Sequence, residues 1–146
     1  MNNPPSSRCY SKPTRVQRSR KKGWKMPLNT IYVGRGSKWG NPLRVMGDMI
    51  YIDAGYRRKV FSKWFYLCFG DASKCVQIYK FIVTGIMGSG KLGVSLKDEP
   101  DILYWANYFS KLNFKELKGK NLSCWCKHSE PCHSDVLLEL ANKKQT

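Results

Sequence analysis

Asn121-Leu122-Ser123-Cys124-Trp125-Cys126, followed by Lys127-His128-Ser129-Glu130-Pro131-Cys132-His133-Ser134-Asp135-Val136-Leu137, decides the fold class. The first six residues read as a β-strand that carries Cys124 and Cys126 on one face. A polar turn follows, and Pro131 to Leu140 reads as a helix with Val136, Leu137 and Leu140 turned inward. Strand, turn and helix in that order are the unit of an α/β layer.

Upstream segments extend the pattern. Thr14–Arg20 alternates weakly and predicts a short strand; Thr30-Ile31-Tyr32-Val33 predicts a second, ended by Gly34. Tyr56 to Phe69 places apolar residues at helical spacing and predicts a helix stopped by Gly70. Val76–Thr84 fits either element. Asp98 and Pro100 predict the start of a helix reaching about Lys111. The expected architecture is therefore α/β: a small single-domain open sheet, mostly parallel, with flanking helices over 14–146. A disordered basic lead is expected over 1–13, where Asn-Pro-Pro-Ser-Ser and Lys12-Pro13 occur.

A chain of 146 residues with 42 % hydrophobic and 25 % charged residues can bury one core. No stretch approaches the ~20 apolar residues of a membrane span, so no membrane partner is expected. The N-terminus lacks the apolar segment of a secretory leader. Reduced cysteines and a cytoplasmic location are expected on that ground. Charge sets the partner class: 26 basic against 10 acidic residues give +16. No Asp or Glu precedes Asp48, so the first third of the chain is almost purely cationic. Such a surface favours phosphate-bearing partners, a nucleotide or nucleic acid. Trp24, Tyr32 and Trp39 in that segment offer rings that stack on bases. A purely solubilising arm is the simpler alternative, and tryptophans in so small a chain are more often core.

Two glycine loops invite a phosphate reading. Gly85-Ile86-Met87-Gly88-Ser89-Gly90-Lys91 fits seven positions of a phosphate loop, but Leu92 stands where Ser or Thr must hold magnesium. The segment therefore reads as an ordinary connection. Gly34-Arg35-Gly36-Ser37-Lys38-Trp39-Gly40-Asn41-Pro42 directly follows a strand and is the better candidate. Arg35, Ser37, Lys38 and Asn41 are its candidate phosphate contacts, with Gly34 and Trp39 as pocket walls. A plain structural turn with Trp39 as core filler accounts equally for it.

Three of the six cysteines crowd into Cys124–Cys132, and the only histidines, His128 and His133, are beside them. Three chemistries fit. Cys124, Cys126, Cys132 and His133, with His128 as substitute, could hold zinc, although no Cys-x-x-Cys knuckle is present. Cys132 in the first turn of a helix could be a reactive thiolate, with His133 as its base, the pair then being catalytic. Buried cysteines can also simply pack. A cytosine-deaminase site is excluded, because Asp135 replaces its second cysteine and no His-x-Glu precedes the cluster. Cys9, Cys68 and Cys75 receive no role.

The chain resembles a family of small domains of unknown function found in bacteria, phages and prophages. The resemblance rests on Arg15-Val16-Gln17-Arg18, Lys22-Gly23-Trp24-Lys25-Met26-Pro27, Tyr32-Val33-Gly34-Arg35, Lys38-Trp39-Gly40-Asn41-Pro42, Leu122-Ser123-Cys124-Trp125-Cys126 and Cys132-His133 with Asp135-Val136-Leu137. It implies that the basic stretch from Thr14 belongs to the domain. It also implies that the glycine loop and the Cys-His cluster form one signature, in a bacterial cell or a phage-infected host. It names no reaction. The expected function is binding of a phosphate-bearing ligand at a Cys/His site, with or without an enzymatic step. The alternatives are a non-catalytic nucleic-acid-binding module clipped by structural zinc and an accessory protein of phages or mobile elements.

Overall fold

The computed structural model describes residues 12–53, 64–84 and 99–144. Three strands form a parallel sheet: β1 (Arg15–Gln17), β2 (Thr30–Tyr32) and β6 (Asn121–Cys124), in the order β1-β6-β2. The last strand is thus the central one, with Leu122 level with both Arg15 and Ile31. Leu122, Ser123 and Cys124 are buried, as a strand covered on both faces requires. Two further bonds extend the pairing, Arg18 N–H to the Cys124 carbonyl (2.8 Å) and Val33 N–H to the Ser123 carbonyl (2.9 Å). All three strands end at one edge. The segments after them, Arg18 onward, Gly34 onward and Trp125 onward, therefore leave side by side. Ligands of open α/β sheets bind at that edge.

A second sheet is antiparallel and comprises β3 (Leu43–Met46), β4 (Met49–Asp53) and β5 (Trp64–Phe69). Gly47-Asp48 turns the β3–β4 hairpin, with Gly47 at φ 63°. Ile50 and Ile52 on β4 are buried in strict alternation. The α/β class stands, with half of the described strands in an antiparallel sheet where a mostly parallel one was expected.

Trp64–Phe69 is a strand where the spacing predicted the end of a helix. The run pairs with β4, buries Cys68 and leaves Tyr66 and Phe69 exposed. Cross-strand pairing thereby outweighs the 3.6-residue pattern. The rest of that expected helix, residues 56–63, lies outside the described residues, as do the lead over 1–11, Cys9 and the whole of Gly85–Gly93. The ambiguous 76–84 segment belongs to helix α1 (Ala72–Thr84), with Cys75, Ile78, Tyr79 and Ile82 on its buried face. Helix α2 (Pro100–Ser110) has Pro100 in its first turn and Glu99 as its cap residue. A 3-10 turn (Phe114–Leu117) leads into β6, and α3 (His133–Asn142) closes the chain.

Tyr79 ties these pieces together. Its ring meets Phe109 of α2 and His133 of α3 edge to face, at 5.5 and 5.2 Å. Its hydroxyl donates to the Trp39 carbonyl at 3.0 Å, so the glycine loop is fastened to the core. No described helix is long and apolar enough to cross a membrane.

Candidate functional site

Cys124 ends β6 and Cys132 caps the N-terminus of α3, and their sulfurs lie 3.0 Å apart. The Sγ of Cys126 joins them, and all three sulfurs lie within 4.8 Å of one another. The five described cysteines are free thiols. The Ser134 hydroxyl donates to the Cys132 sulfur at 3.1 Å. Hydrogen bonds from Cys124 and Cys126 hold the Cys132 thiol well below the usual thiol range, with help from His133. The same bonds, with Cys124 and then Cys132, push the Cys126 thiol up. Of the three thiols, Cys132 is therefore the one that gives up its proton most readily.

His133 is buried, and its Nε2 lies 2.7 Å from the Val33 carbonyl. A carbonyl only accepts, so Nε2 donates to it and Nδ1 is the nitrogen left to face the cluster. Nδ1 is 3.7 Å from the Cys132 sulfur. This is how histidines beside metal or thiolate sites are oriented, one nitrogen anchored and the other presented.

The turn between β6 and α3 is braced from β1. Arg15 donates to the Lys127 and His128 carbonyls at 3.0 and 2.7 Å and pairs with Asp135 at 2.8 Å. Its side chain is only 8 % exposed, so the guanidinium satisfies carbonyls that no strand or helix reaches. Burial raises the Asp135 carboxyl, against the pull of Arg15.

The glycine loop faces this cluster. Arg35 donates to the Asn41 and Leu43 carbonyls at 3.2 and 2.7 Å and lies 5.1 Å from the Trp64 ring centre. Burial lowers its pKa, because a guanidinium charge is costly away from water. The Ser37 hydroxyl donates to the Gly34 carbonyl at 2.7 Å, and Gly36 sits at φ 88°. Between loop and cluster is a cavity of about 240 Å³. Gly34, Arg35, Asn41, Trp125, all three clustered cysteines and His133 line it.

The structure thus brings Gly34, Arg35, Asn41, Cys124, Cys126, Cys132 and His133 to one cavity. It takes four other candidates elsewhere. Lys38 pairs with Glu116. Trp39 is buried against Phe114, its ring a core element. Ser37 spends its hydroxyl inside the loop. His128 is exposed and contributes its carbonyl to Arg15. Residues that sequence reasoning passed over are Ser134, Arg15 as a brace, and Cys75, which lines the cavity 3.8 Å from the Asn41 amide. Only position could have singled out Ser134, two residues after Cys132; nothing local marks Cys75.

A family described as a domain of unknown function (DUF4326) matches residues 16–143. The chain belongs to the DUF4326 family. The match covers both halves of the cavity, the glycine loop and the cysteine cluster. No curated protein and no solved structure matches this DUF4326 domain.

Proposed function

We propose that this domain binds a phosphate-bearing ligand, a nucleotide or a nucleic-acid end, in the cavity, beside a zinc ion held by Cys124, Cys126 and Cys132. The observation that carries the reading is the convergence of three reduced sulfurs on the wall of an open cavity. Thiolates are the preferred zinc donors, and three protein ligands are the count that leaves a position for a ligand. His133 Nδ1, directed at the Cys132 sulfur, is the group placed to exchange a proton with it. Arg35 supplies a cation on the opposite wall, and the net charge of +16 favours entry of an anion.

A second reading is supported by the Ser134–Cys132 bond. Without metal, the Cys132 sulfur sits at a helix N-terminus with a hydroxyl donor on it, the setting of a nucleophile.

The test is calorimetric titration of the zinc-loaded domain with adenosine monophosphate. Saturable binding that is lost together with zinc in Cys126→Ser supports the reading. A zinc-loaded domain that binds no nucleotide contradicts its ligand half. A zinc-free domain with one hyper-reactive thiol replaces it with the nucleophile.

A further inference from the structure

We propose that the rim of the cavity is a binding surface for single-stranded nucleic acid, on which Trp125 stacks against a base and the Arg18–Lys25 turn holds the backbone. The surface stands on its own observations; only the strand end that enters the cavity rests on the pocket reading above.

Trp125 lines the cavity yet is 43 % exposed. The Arg18 and Arg20 guanidiniums lie 5.1 and 4.8 Å from its ring centre. Arg18 also covers the Tyr32 ring at 4.6 Å, and its Nε is buried with no hydrogen bond among the described residues. An aromatic ring kept at the surface beside two arginines is a platform for a base, since every base offers a π-face.

Charge adds the backbone half. Arg18, Arg20, Lys21, Lys22 and Lys25 lie along one short segment that reverses at Lys21–Trp24, where the Trp24 N–H meets the Lys21 carbonyl and Gly23 sits at φ 84°. Among the described residues none of the five has an ion pair. Phosphates meeting such a turn release counterions, which is where most sequence-independent affinity originates.

Size limits how much of a ligand the cavity takes. The cavity, about 240 Å³, is smaller than the roughly 300–1,000 Å³ of pockets that enclose a whole small molecule. A ligand seated there extends over the rim, and the rim is Trp125 and its arginines. Stacking on an exposed ring needs an unpaired base, so the strand is single.

The test is fluorescence anisotropy with a labelled oligothymidylate of about 16 nucleotides, at several salt concentrations. Competitors are a duplex of equal length and polyglutamate. The single strand is expected to bind more tightly than either. Trp125→Ala is expected to weaken binding about tenfold or more, while Trp125→Phe retains most of it. Lys21→Ala with Lys22→Ala is expected to reduce the salt slope by about 1.4. Unchanged binding by a folded Trp125→Ala, or equal competition by duplex or polyglutamate, overturns the proposal. Cys126→Ser separates the two readings. If it loses zinc and nucleotide but still binds the strand, the surface and the pocket are both upheld. If wild type holds neither zinc nor nucleotide while Trp125→Ala weakens strand binding, the pocket reading fails and the surface stands.

Discussion

The His133 ring donates from Nε2 to the Val33 carbonyl at 2.7 Å, joining the first turn of α3 to the end of β2. One bond thereby sets the orientation of the imidazole and turns Nδ1 toward the Cys132 sulfur. It also places the two signature segments, the glycine loop after Val33 and the Cys132 cap, against each other across the cavity.

His133→Ala removes that bond and the ring contact with Tyr79, leaving a buried carbonyl unpaired. The expected loss of stability is about 2–4 kcal/mol, measured by urea denaturation. Zinc content is expected to survive, because the three sulfurs are the ligands. Loss of zinc in a folded His133→Ala would instead make His133 a ligand.

Arg15→Ala frees the His128 carbonyl and Asp135 at once and leaves the Lys127 carbonyl with the Glu130 N–H alone. A cost of about 2–3 kcal/mol is expected, together with zinc affinity lowered roughly 10–100-fold. Chelator competition reads the second effect. Arg15→Lys is expected to recover little, because an ammonium cannot reproduce the fork that reaches two carbonyls and a carboxylate.

Cys75 gives a pH dependence. Burial pushes its thiol up from 9.0 to about 11, against smaller opposing effects of Asn41 and Arg35. The folded chain therefore holds this proton more tightly than the unfolded chain. The corresponding stability is fully present below pH 9.0 and is lost as pH rises through about 11. Denaturation midpoints of wild type and Cys75→Ala, compared at both ends of that window, are expected to converge as pH rises.

Much of the site was legible locally. The β6–turn–α3 unit and the clustering of Cys124, Cys126, Cys132 and His133 follow from short-range spacing. The loop after Val33 announced itself through its glycines. What sequence could not supply was non-local. That β6 inserts between β1 and β2 depends on packing, and only this insertion brings Arg15 to the cysteine turn. Trp64–Phe69 misleads because an aromatic-rich run satisfies both the helical and the strand period, and its partner β4 decides. The β3–β4 hairpin has only a weak local signal, Gly47-Asp48 between two short apolar-rich runs. Lys38 looked like a phosphate contact because its partner Glu116 is far along the chain.

Gly34→Ala tests the loop. A Cβ there would stand within 2.6 Å of the Tyr32 ring, whose hydroxyl donates to the Arg35 carbonyl at 3.0 Å. Tyr32 must move, at an expected cost of about 1–3 kcal/mol. The Arg35 backbone moves with it, so nucleotide affinity is expected to fall while zinc content stays at the wild-type level. Calorimetry and elemental analysis on the same preparation separate the two.

Elemental analysis of the purified chain, prepared without chelators and paired with a count of reactive thiols, tests the central claim most directly. The account predicts close to one zinc per chain, with Cys124, Cys126 and Cys132 protected until the metal is removed. A metal-free chain in which those three thiols react freely would contradict it.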